Sequence, residues 1–120
     1  MRLGECMVSR QRKKQARAPQ VLTVDGLCLN LGTRELQNSH GIIRLTPKEC
    51  QLLATFMRHP NRVLSRRFLM REVWETDYIG DTRTLQVHVS WLRRKIEENP
   101  RRPTRLRTVR GVGYRFGAQL

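Results

Sequence analysis

A single apolar stripe constrains this chain more than any other feature. Leu85, Val89, Leu92 and Ile96 step by 4, 3 and 4 residues, which at about 100° per residue lays them along one face of a helix. Arg83, Val87, Ser90 and Arg94 fall on the opposite face, with Gln86 and Trp91 at its flanks. Asn99-Pro100 ends this helix, expected over about 82–98, since proline cannot continue the backbone ladder. A helix that is apolar on one side only needs a surface to lie on. The rest of the chain has to supply it.

Upstream, short apolar runs alternate with turn signals. Val21 to Val24 leads into Asp25-Gly26, a tight-turn dipeptide, and Leu27, Leu29 and Leu31 then alternate as on one face of a strand. Gly32-Thr33 turns the chain again, Arg34 to Leu36 reads as a third strand and Ile42 to Leu45 as a fourth, with Gln37 to Gly41 as a polar loop. Thr46-Pro47-Lys48-Glu49 is a capping box with proline at the first helical position. The helix it opens is expected to reach about Arg58, burying Cys50, Leu52, Leu53 and Phe56, before Pro60 prevents continuation. Ser65 can cap a second helix containing Leu69 and Val73, which ends near Trp74, before the polar loop Glu75 to Asp81. After the third helix, Leu106 to Val109 and Gly113 to Phe116 form a hairpin around Arg110-Gly111-Val112. The expected class is α+β, a winged helix-turn-helix with an N-terminal four-stranded antiparallel sheet, three helices and a C-terminal β-hairpin wing. It occupies residues 21–120, behind a basic flexible arm over residues 1–20.

Charge narrows the function. The chain has 24 Lys/Arg against 10 Asp/Glu, a net charge of +14, which points to a polyanionic partner and to nucleic acid first. The surplus sits at the two ends: residues 1–20 carry a net +5, residues 21–81 only +1, and residues 82–120 +8. Three widely spaced cysteines, Cys6, Cys28 and Cys50, do not make a disulfide framework and fit a reducing cytoplasm. A run of about 18 apolar residues, as a membrane span requires, does not occur, and the basic N-terminal segment does not read as a secretory signal.

The residues of the third helix and hairpin are the candidate DNA contacts. Arg83, Arg93 and Arg94 can neutralise backbone phosphates, while Lys95 lies round toward the core edge. Gln86 and Ser90 can meet base edges, and Val87 can lie on a thymine methyl. Trp91 either packs over the side of the core or meets DNA. His88 is a partly buried hydrogen-bonding residue or a phosphate donor, and Trp74 at the end of the second helix either caps the core or takes the phosphate-donating role that the family resemblance described below implies. At the wing, Arg110 is expected in a narrow minor groove, with Gly111 and Gly113 allowing the turn and a close approach. Thr108 and Tyr114 stand beside it, although alternation can also put Tyr114 on the core face.

Several segments together resemble the DNA-binding effector domain of OmpR/PhoB-type response regulators. They are Leu45-Thr46-Pro47-Lys48-Glu49, Arg62-Val63-Leu64-Ser65, Glu72-Val73-Trp74, Arg83-Thr84-Leu85, Val87-His88-Val89 and Thr108-Val109-Arg110-Gly111-Val112-Gly113-Tyr114-Arg115-Phe116. The resemblance implies a transcription factor whose third helix, Thr84 included, enters the major groove of double-stranded DNA while the wing reaches the minor groove. It also implies head-to-tail pairs on direct repeats, and RNA polymerase contact through a loop here containing Glu75, Thr76, Asp77 and Tyr78. Departures are visible too. Cys50 stands where the family usually has a larger apolar residue, Gln86 often corresponds to an acidic residue, and Ser90-Trp91 to more basic ones. The 120 residues are expected to lack the receiver domain of such regulators.

Other chemistries do not assemble. His40, His59 and His88 have no zinc-like pairing with the cysteines, Glu97-Glu98 read as solvated helix-end charges, and no glycine-rich phosphate loop precedes a helix. Neither an enzyme, a cofactor nor a metal site is expected. The alternative from a different class is a receiver-less adaptor that binds RNA polymerase or another regulator.

Overall fold

The computed structural model describes residues 21–76 and 83–117. The arm expected over residues 1–20 and most of the loop after the second helix therefore lie outside the described residues. The N-terminal sheet contains β1 (Val21–Val24), β2 (Leu27–Asn30), β3 (Glu35–Asn38) and β4 (Gly41–Arg44), paired antiparallel in chain order. Asp25 and Gly26 connect the first hairpin with φ of 51° and 80°, the left-handed pair that suits a tight two-residue connection. Two expected strand boundaries shift. Arg34 belongs to the turn with φ of 61°, so β3 starts at Glu35. Of the expected polar loop Gln37 to Gly41, only Ser39 and His40 connect strands, and the others take ladder positions. Polarity misled here because an antiparallel sheet tolerates polar residues on one face.

β2 is buried along its whole length, not merely at alternate residues. Leu27 and Leu29 join the main core, Cys28 packs with Val21, and Asn30 turns its Oδ1 to the Thr33 N–H at 3.0 Å. Cys28 is disulfide-bonded, which the odd cysteine count does not anticipate, and Cys50 is free and buried. Burial pushes the Cys50 thiol up from its ordinary value, against the opposing effect of Arg34 and Arg58, so it packs as a small apolar residue.

Helix α1 (Pro47–Arg58) begins at the expected capping box. Thr46 Oγ1 accepts from the Glu49 N–H at 3.2 Å, and Glu49 Oε1 accepts from the Thr46 N–H at 2.9 Å. Its Leu52, Leu53 and Phe56 are fully buried. A short strand that the pattern did not signal, β5 (Val63–Ser65), leads into α2 (Arg66–Trp74), which Ser65 caps through the Phe68 N–H at 3.0 Å. Helix α3 (Arg83–Ile96) ends two residues earlier than expected and is followed by β6 (Leu106–Val109) and β7 (Gly113–Phe116). The hairpin is not isolated: β7 pairs with β6 on one side and β5 on the other. That third strand gives the wing a rigid base, since two strands alone are only marginally stable.

Candidate nucleic-acid interface

The apolar stripe of α3 behaves as its spacing requires. Leu85, Val89, Leu92 and Ile96 are all buried and hold the helix on the core. Two carboxylates then fix its C-terminal end. Glu49, buried on α1, accepts from Lys95 Nζ at 2.7 Å while still serving the capping box. Burial alone would push its carboxyl up, but the Lys95 hydrogen bond and charge and the Thr46 groups hold it below its ordinary value. Glu97 accepts from three successive backbone N–H groups, those of Thr104, Arg105 and Leu106, at 2.8–3.1 Å. This corrects the reading of Glu97 as a solvated helix-end charge. Only Glu98 of that pair is exposed. Glu97 lies just beyond the last residue of α3, where helical phase carries no information, so the sequence held no signal for its role.

On the other side, Arg83, Thr84, Gln86, Val87, Ser90, Trp91 and Arg94 are exposed along the length of α3. Arg94 makes no hydrogen bond or ion pair among the described residues. Trp91 does not pack into the core: it is 41% exposed and lies against His88, ring centroids 4.9 Å apart. His88 is half-buried, with Nδ1 at 2.8 Å from the Thr84 carbonyl. That carbonyl can only accept, so Nδ1 carries the proton. The Trp74 ring meets His88 edge-on at 5.1 Å and packs partly against the core. Lys48 completes this cluster, donating to the Val73 carbonyl at 2.8 Å with its ammonium 5.9 Å from the Trp74 ring centre. Sequence reading did not single out Lys48 for this.

The wing is tied to α3 by Arg93. Its Nε donates to the Leu106 carbonyl at 3.0 Å and its Nη2 to Thr108 Oγ1 at 2.9 Å. Burial lowers the guanidinium from its ordinary value, opposed by Tyr114 and Glu97, yet an arginine stays charged. Arg93 is therefore a strut between helix and hairpin, a role that its reading as a phosphate contact did not include. Of the two places left open for Tyr114, the structure takes the core face. The residue is only 6% exposed and packs edge-on to Phe56 at 6.5 Å, because its position in β7 puts it on the core face beside Leu64. Thr108 and Arg110 are exposed.

Gly111 has φ of 76°, which favours glycine at the tip. Gly113 has a different reason from the one its spacing implied. A Cβ there would overlap the Leu64 carbonyl oxygen, so its close approach is to the β5 backbone. Val112 at the tip is 48% exposed. In the loop after α2, Glu75 adopts the left-handed conformation and closes the helix through the Arg71 carbonyl at 3.1 Å. Thr76 follows it, whereas Asp77 and Tyr78 lie outside the described residues.

The site thus presents a row of polar, apolar and basic side chains on one helix, braced against a hairpin with a basic tip. It can neutralise phosphates and offer amide, hydroxyl and apolar groups to base edges. Comparison with known proteins places it. The family model described as "Transcriptional regulatory protein, C terminal" matches residues 39–116. The alkaline phosphatase synthesis transcriptional regulatory protein SphR of Synechococcus elongatus is 44% identical over 111 residues, which cover 92% of this chain and 43% of SphR. The chain therefore spans less than half the length of that relative. Among solved structures, the DNA-binding domain of CpxR from E. coli superposes with a TM-score of 0.70 at 33% identity, covering 82% of this chain and 98% of that one. The DNA-binding domain of AdeR, solved in complex with an intercistronic region, gives 0.67 at 29% identity, covering 81% and 99%. With its family model matched across both the helices and the wing, this chain belongs to the C-terminal domains of transcriptional regulatory proteins, the OmpR/PhoB-type class that its motifs resemble.

Proposed function

We propose that this chain binds double-stranded DNA sequence-specifically to regulate transcription, with α3 in the major groove and the β6–β7 wing in the adjacent minor groove. One observation carries the reading. The outward row of α3 is exposed, and its Arg94 makes no hydrogen bond or ion pair among the described residues, while the cations on either side of Arg94, Arg93 and Lys95, are tied to the protein. Phosphate contacts then fall to Arg83 and Arg94, base-edge contacts to Gln86, Val87, Ser90 and Trp91, and the minor groove to Arg110 with Thr108 beside it. Thr84, His88 and Trp74 line the row's edge. The protein is not read as an enzyme, and its place of action is the cytoplasm. No described helix is long and apolar enough to cross a membrane.

Pairing head-to-tail on direct repeats belongs to the same proposal, as does contact with RNA polymerase through the loop that starts at Glu75 and Thr76. The family match speaks against a mere adaptor. The test is selection from a pool of random-sequence duplexes at about 0.15 M salt, followed by sequencing of the bound fraction. An enriched motif is expected, with two copies spaced about one helical turn if the domains pair. Retention without enrichment would overturn sequence-specific binding. Arg94→Glu should abolish retention; an adaptor would keep its partner through that change.

A further inference from the structure

We infer that Trp91 is a specificity-determining residue, its indole reading the C5 methyl group of a pyrimidine in the major groove. The inference rests on the DNA-binding reading above and names what the middle of α3 selects. Between Arg83 and Arg94, the exposed side chains of α3 are Thr84, Gln86, Val87, Ser90 and Trp91. None of these is a guanidinium or ammonium, so the bidentate arginine–guanine or lysine–guanine contact has no donor there. Val87 and Trp91 are instead 42% and 41% exposed and stand one turn apart, where side chains on a helix are neighbours. Together they form an apolar strip. The apolar group that the major groove offers such a strip is the methyl at C5 of thymine, or of 5-methylcytosine.

The indole is also held in place. The His88 ring lies against it at 4.9 Å with an interplanar angle of 55°. His88 is itself anchored by Nδ1 to the Thr84 carbonyl and braced edge-on by Trp74. The Lys48 ammonium lies over the Trp74 ring, 5.9 Å from its centre. A large ring already fixed by packing loses little freedom when it docks, so its contact is discriminating as well as attractive. Its solvent-facing exposure has a reason in this arrangement: the face that α3 leaves open is the one that meets the groove.

The probe is the duplex enriched in the selection described above, resynthesised with each thymine replaced in turn by deoxyuridine, which removes only the methyl. For the unmodified protein, one such replacement should weaken binding about fourfold, the value of one buried methyl. In Trp91→Ala the penalty at that position should vanish, with penalties elsewhere unchanged. Equal penalties in both proteins, or none in either, would overturn the assignment while leaving DNA binding intact. Replacing the same thymine by cytosine and by 5-methylcytosine separates the sources. Restored binding with 5-methylcytosine assigns the methyl whichever base carries it; weak binding to both assigns thymine. If no duplex is enriched at all, sequence-specific binding itself fails, a result distinct from the loss of methyl dependence.

Discussion

Arg93, Arg94 and Lys95 are consecutive in the sequence and have different fates in the fold. The seam along the inner edge of α3 holds Lys95 against buried Glu49 and Arg93 against the wing, while Arg94 between them faces outward. The seam is built from satisfied, desolvated charges, and the outer face from exposed ones. A run of three cations thus contributes one free charge to the surface and two fixed contacts to the frame that aims it. Net charge alone overstates how much of a basic helix is available to a polyanion.

The largest effect that can test this contrast is at Glu97. Glu97→Ala leaves the Thr104, Arg105 and Leu106 N–H groups without their acceptor and should cost about 3–4 kcal/mol in chemical denaturation. Unchanged stability would dissolve the seam as a structural unit. Next, Gly113→Ala forces a Cβ into the Leu64 backbone. A loss of about 2–3 kcal/mol is expected, with the hairpin displaced from β5 and visible as faster amide exchange in β7.

Neighbouring arginines then sharpen the comparison. Arg93→Ala should lower stability by about 1–2 kcal/mol through its two lost hydrogen bonds. Arg94→Ala should change stability by less than about 0.5 kcal/mol yet weaken binding to the enriched duplex about tenfold and reduce the salt slope by about one. The same phenotype at both positions would mean that the seam and the face are not distinct.

The smallest effect is an acid one at Glu49. Its carboxyl lies below the ordinary value of 4.5 in the folded state, so its ionised form favours the fold. That stability is present above the ordinary carboxylate range and is lost as pH falls through it toward the folded value. Denaturation curves at falling pH should therefore show an acid decline that Glu49→Gln flattens. An identical decline in the variant would assign the acid sensitivity to other carboxylates.

Periodicity made much of the frame legible. The stripe of α3, the Thr46–Glu49 capping box and the hairpin turn at Asp25-Gly26 are local patterns whose physics is complete within a few residues. What escaped was non-local. β5 is three residues long and owes its strand conformation to β7, so its own sequence carries no period. Tyr114 was open between core and groove until β5 packed beside it. Trp91 likewise was open between the core and DNA; it is 41% exposed and rests against His88, whose ring also meets Trp74 of another helix.

The sequence by itself determined the order of every described element except β5, the buried side of each helix and the class of partner, because hydrophobic period, capping chemistry and charge sum are properties of neighbours along the chain. Only the tertiary structure decided which cations remain available. The difference between Arg93 as strut and Arg94 as an exposed cation depends on acceptors at Leu106 and Thr108, 13 and 15 residues away, and the fate of Lys95 on a carboxylate 46 residues away. Such pairings form only when packing brings distant groups together and burial makes leaving them unpaired costly.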